Sequence, residues 1–191
     1  MSYRIDREFE KGTMQYFLNV LTDVVYPGSS CEINQDKYNS KTLDQEVSMD
    51  AFVNQLDLPR QSIQIKCRRA DKFKFFKRKK DLLLNIKKTH DDGRTYEGDY
   101  TKCQSDLFMY GFSNGCTPED STGLDYWALI NYTNLKNKFI KFGGYKNVPG
   151  VFPKDYRDGK IVTQFIVIPW DFVRSCIIKT SETLEEISIP L

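Results

Sequence analysis

The chain has 191 residues, 40% hydrophobic and 14% aromatic, enough to bury a core and too apolar for a disordered segment. No apolar run approaches the roughly 20 residues of a membrane helix, and the start Met1-Ser2-Tyr3-Arg4-Ile5-Asp6 lacks the apolar stretch of a signal peptide. A cytoplasmic protein with no membrane contact is expected, and its formal net charge of +2 names no other partner.

Apolar residues at Phe9, Met14, Phe17, Leu18, Leu21 and Val25 recur at helical spacing, which predicts an amphipathic helix over 5–25 with Gly12 its weak spot and Pro27-Gly28 its stop. The polar stretch 29–42 reads as loop. The period then changes. Val47 to Val53 is short and mostly apolar, and Ser62-Ile63-Gln64-Ile65-Lys66-Cys67-Arg68 alternates strictly, with Gln64, Lys66 and Arg68 on one face. The link between them, 54–60, is short enough to join adjacent antiparallel strands. Further strands are predicted at 82–86, 106–112, 126–132, 139–142 and 161–168. Pro169 opens a short helix to Arg174, and the tail after Thr180 is acidic and loose.

Loops are expected at 88–103 and 113–124, and His90 falls in the polar stretch 87–93. Gly143-Gly144 and Val148-Pro149-Gly150 read as turns, Trp127 and Trp170 as core aromatics. The sum is a single α/β domain over 1–191: an N-terminal helix, then a mixed central sheet with flanking helices.

Five cysteines without a C-x-x-C pair argue against zinc and against a disulfide framework. One histidine cannot build a multi-histidine metal centre, and it leaves Ser-His or Cys-His hydrolysis with little support. Oxygen chemistry is better served. If the strands at 47–53 and 62–68 pair, Asp50 meets the face bearing Gln64 and Lys66. Asp50 supplies a carboxylate, Gln64 an amide oxygen and Ile65 a backbone carbonyl for a hard cation. Lys66 supplies a positive charge for an activated water or a crowded phosphate.

This arrangement resembles the restriction-endonuclease-like PD-(D/E)XK superfamily, whose signature is an acid on one strand and acid-x-Lys on the next. Here that reads Asp50-Ala51-Phe52-Val53, then Gln64-Ile65-Lys66, and the likeness extends over about residues 5–112. Gln64 stands where the family usually has Asp or Glu, and an intron-encoded homing endonuclease group looks similar in using Gln-x-Lys. The resemblance implies a restriction-endonuclease-like core and a site glutamate on the first helix, Glu10 in preference to Glu8. It also implies Mg²⁺ (with Mn²⁺ as substitute) and cleavage of double-stranded DNA by a homodimer or higher oligomer.

Nine basic residues lie between Lys66 and Lys80 against one acid, Asp71. Beyond Lys66 they are Arg68, Arg69, Lys72, Lys74, Lys77, Arg78, Lys79 and Lys80, interleaved with Phe73, Phe75 and Phe76. Such a run neutralises phosphates, and its phenylalanines either stack on bases or fill core. It shows no clear helical apolar face of the kind membrane binding needs. The alternatives are a non-catalytic nucleic-acid-binding protein on a degenerate nuclease fold, which the amide at Gln64 keeps open, and an RNA-cleaving relative.

Overall fold

The computed structural model describes residues 2–33, 50–56 and 58–181. The expected strand residues 47–49, most of the 29–42 loop and the tail beyond Ser181 lie outside the described residues.

Helix α1 (Ser2–Asn19) continues into a π-helical turn (Val20–Val25). It buries Phe9, Met14, Phe17, Leu18 and Leu21, the predicted stripe. Gly12 is a contact point: a Cβ there would stand 2.8 Å from the Pro118 side chain, so the glycine lets the 113–124 loop lie on the helix.

Strands β1 (Ser30–Ile33), β2 (Ala51–Asn54), β3 (Gln61–Arg68), β6 (Leu107–Ser113), β7 (Leu124–Asn131) and β10 (Ile177–Thr180) form a six-stranded mixed sheet in that order. Only the central β3–β6 pair is parallel among them. A second, antiparallel sheet of four strands runs β5 (Thr95–Glu97), β4 (Asp81–His90), β9 (Ile161–Pro169), β8 (Phe152–Asp158). The predicted α/β class with a mixed sheet is therefore the observed one.

The six-stranded sheet is covered on both faces. On one, α1 packs its apolar stripe against Ile63, Ile65, Cys67, Leu107, Met109 and Leu129. On the other, Phe108, Tyr110 and Phe112 of β6 pack with helix α2 (Ala70–Lys79), helix α4 (Tyr132–Lys141), helix α5 (Trp170–Arg174) and the inner residues Leu82, Leu84, Ile166 and Ile168 of the second sheet. A clasp fixes the parallel register at its start. Ser62 donates to Asp106 Oδ2 through its amide at 2.9 Å and its hydroxyl at 2.7 Å, and the Asp106 amide returns a bond to Ser62 Oγ at 3.0 Å.

Several expectations are corrected. Residues 139–142 are not a strand: Tyr132, Leu135 and Phe139 are the buried stripe of α4, capped where the Asn131 side chain accepts from the Asn134 amide. The basic run does have a helical apolar face, because Phe73 and Phe76, three apart on α2, point into the aromatic core. His90 ends a strand instead of sitting in a loop, and 88–103 holds β5 and a short helix α3 (Asp99–Lys102) as well as turns. β1 occupies the start of the expected 29–42 loop. Strands β8 and β10 carry too much charge or too little length to stand out in the sequence. Among the described residues no helix is long and apolar enough to cross a membrane.

Candidate active site

Strict alternation in β3 sets Gln64, Lys66 and Arg68 on one face, and six consecutive residues from Ser62 to Cys67 are buried. Gln64 and Lys66 retain only 8% and 9% of their surface. A buried amide and ammonium are costly unless partnered, so their surroundings identify what this face does.

The first partner is made by a departure from regular pairing. β2 runs antiparallel to β3 through Val53↔Gln61, Phe52↔Ser62 and Ala51↔Ile63. One residue earlier, the fully buried Asp50 still donates its amide to Ile63 O at 2.9 Å. Its side chain then replaces the strand: Oδ2 accepts from the Ile65 amide at 2.6 Å. Continuing the register puts Asp50 opposite Gln64. The Gln64 Nε2 donates at 3.4 Å to Ile65 O, a weak bond, while Oε1 is buried with no hydrogen-bond partner. An orphaned buried acceptor costs about 1–3 kcal/mol. Asp50 and Gln64 thus both contact Ile65 where β2 leaves β3, Asp50 through its carboxylate on the amide and Gln64 through Nε2 on the carbonyl.

Lys66 follows on the Gln64 face. Its Nζ donates to Asp99 Oδ2 at 2.8 Å, with side-chain exposures of 11% and 19%. Asp99 begins α3, and Gly98 before it makes the approach possible: a Cβ at 98 would lie 2.4 Å from the Asn85 carbonyl oxygen of β4. Burial pushes the Asp99 carboxyl upward, but the Lys66 ammonium, by charge and hydrogen bond, and more weakly Lys102 and Lys88, hold it below the usual carboxylate range. Nothing in the residue pattern points to Asp99, because its four-residue helix has no periodicity to read.

Glu10 is half-buried on α1, the helix that covers the Ile63–Ile65–Cys67 face, and Glu8 is exposed. Burial pushes the Cys67 thiol up to about 12, against hydrogen bonding from Thr13 and Ser113, and the charge of Glu10 adds to the rise.

The basic run divides. Arg68 is half-buried beyond Lys66, and Arg69 stands just before α2, its guanidinium 5.5 Å from the Phe9 ring. Lys72, Lys74, Lys77, Arg78 and Lys79 are exposed around the outer face of α2, and Lys80 closes it in a left-handed conformation at φ 49°. Phe73 and Phe76 are core; Phe75 is 47% exposed, with Lys74 and Arg78 over its ring. Near the helix end, burial raises the Asp81 carboxyl while Lys154, Lys79 and Arg68 oppose it. Cations thus gather on the Lys66 side of the sheet.

Among the described residues no three His, Cys, Asp or Glu side chains group to hold a metal. A cation at this site would rest on Asp50 with the amide and carbonyl oxygens of Gln64 and Ile65, a set suited to Mg²⁺ or Mn²⁺ and not to zinc. The unpartnered Gln64 Oε1 fits that use. No family model, curated protein or solved structure matches the chain.

Proposed function

We propose that the chain is a divalent-metal-dependent endonuclease that hydrolyses phosphodiester bonds in DNA, with a restriction-endonuclease-like core of the Gln-x-Lys kind. The observation that carries this reading is that Asp50 and Gln64 both contact the Ile65 backbone, with the Gln64 Oε1 buried and unpartnered and a buried lysine next on the same face. The helix-first order, the antiparallel β2–β3 pair bearing the two motif halves and the neighbouring parallel β6 support it as well.

In this reading Asp50, Gln64 and Ile65 O hold Mg²⁺, which when bound polarises a water and the phosphate. Lys66 offsets the negative charge that grows on the attacked phosphate. Asp99 keeps the Lys66 ammonium directed. The cations of α2 grip the backbone, with affinity that falls as salt rises. One chain carries one such site, so cutting both strands of a duplex takes a homodimer or higher oligomer.

The test is nicking of supercoiled plasmid with Mg²⁺ by the wild type and by Lys66→Ala. Cleavage by the wild type alone is expected; equal nicking by both would remove Lys66 from the chemistry. A second reading, a nucleic-acid-binding protein without turnover, draws on the amide at Gln64 and on the engagement of Lys66 by Asp99. It predicts salt-sensitive DNA binding and no metal-dependent cleavage under any condition.

A further inference from the structure

The two faces of the four-stranded sheet differ in kind. The pairings Lys88↔Tyr96, Lys88↔Thr163 and Tyr156↔Thr163 set Tyr96, Lys88, Thr163 and Tyr156 in one row across all four strands. The neighbouring row on that face holds Asn85, Phe165 and Lys154. These two rows contain two tyrosines, a phenylalanine and two lysines, and no acid. The opposite face carries Glu97 with Lys87, and Gln164 with Asp155.

Both tyrosines are open to solvent, Tyr96 at 46% and Tyr156 at 61%. Tyr96 is braced by the His90 ring edge-on at 5.4 Å. Three strand spacings, about 14 Å, separate the strands that carry the two rings, with Lys88 on a strand between them. The neighbouring row meets the segment that carries Asp99. Asn85 is the residue against which Gly98 packs, Asp99 follows Gly98 to Lys66, and Lys88 is near enough for its charge to act on Asp99.

We propose that this face binds an unpaired nucleic-acid strand leading into or out of the cleavage site. Resting on the nuclease reading, it adds that the substrate includes a single-stranded segment. Exposed rings stack on bases of any sequence once they are unstacked from a partner strand, and the lysines between meet the phosphates. A duplex keeps its bases stacked internally and offers these rings nothing.

Fluorescence anisotropy of a labelled oligothymidine, and of a duplex of the same length, tests this with the full chain in EDTA, where no cleavage intervenes. Tyr96→Ala/Tyr156→Ala should weaken the single strand about tenfold or more and leave the duplex unchanged. Tyr96→Phe/Tyr156→Phe, which keeps both rings, should bind like the wild type. Lys88→Ala should reduce the salt slope of single-strand binding by about one. Unchanged single-strand affinity in the alanine pair, or equal loss on both nucleic acids, would overturn the proposal. Ring-dependent binding by a protein that shows no Mg²⁺-dependent cleavage supports the platform while removing the nuclease reading.

Discussion

Lys66 and Asp99, 33 positions apart in the chain, form an ion pair at 2.8 Å in which both side chains are largely buried. Removing one partner of such a pair strands the other charge away from water. Asp99→Asn should therefore destabilise the protein by about 3 kcal/mol at neutral pH, read as a lowered urea midpoint. A change below about 0.5 kcal/mol, the size of a surface substitution, would mean that water screens the pair.

The same contact fixes a pH dependence. The Asp99 carboxyl titrates lower in the folded chain than unfolded, because Lys66 outweighs the opposing effect of burial. Its stabilisation is complete above the unfolded value of about 3.9 and disappears as pH falls through the lower folded value. The Tm difference between wild type and Asp99→Asn should hold steady from neutral pH to about 4 and narrow below it. A difference independent of pH would assign the loss to packing and not to charge.

Gly98 is where backbone approach decides side-chain placement. A methyl group at 98 meets the Asn85 carbonyl oxygen at 2.4 Å and its carbon at 2.5 Å, backbone atoms that cannot rotate away. Gly98→Ala should cost about 1–3 kcal/mol and loosen the Asp99 contact. In a double-mutant cycle, Gly98→Ala and Asp99→Asn should then couple and not add. Simple addition would show that α3 shifts as a unit with its ion pair intact.

The difference between Gln64 and Asp99 shows what the sequence could reveal. Gln64 and Lys66 were legible because strict alternation over Ser62–Arg68 fixes a strand and its faces, whatever surrounds it. Their burial was not legible, since it depends on β6 pairing in parallel and on a second sheet whose strand β8 is entirely polar or exposed over 152–157. Asp50 was readable as a neighbour of Gln64 through the short 54–60 link, but not as the group that takes the Ile65 amide. Residues 139–142 misled because a short apolar run has no period of its own; including Tyr132 and Leu135 reveals the spacing of a helix. Asp99 depends on tertiary contact alone, through Gly98 against Asn85.

Cysteine reactivity separates the two sides of the molecule. Cys116 is exposed, whereas Cys67 is buried under α1 with its thiol pushed up to about 12. Burial likewise pushes Cys31 up to about 11. Iodoacetamide at pH 8 should alkylate Cys116 first, and Cys67 only on unfolding, since the thiolate is the reactive form. Mass spectrometry of the modified peptides checks this. Early labelling of Cys67 in the native protein would mean that α1 opens from the sheet.

The orphaned Oε1 of Gln64 offers the most direct test of metal binding. Gln64→Glu converts a buried amide beside Asp50 into a second carboxylate, and two close carboxylates resist joint ionisation until a cation joins them. Without metal the variant should melt lower than the wild type at neutral pH. Mn²⁺ should restore the Tm by binding only the folded form, and titration calorimetry should give an affinity tighter than wild type by about tenfold, or 1.4 kcal/mol. Asp50→Asn should weaken Mn²⁺ binding in both backgrounds. If Mn²⁺ binds Gln64→Glu no better than wild type, and Asp50→Asn changes nothing, the oxygen is no ligand and its burial is only a cost of packing β3 between two cores.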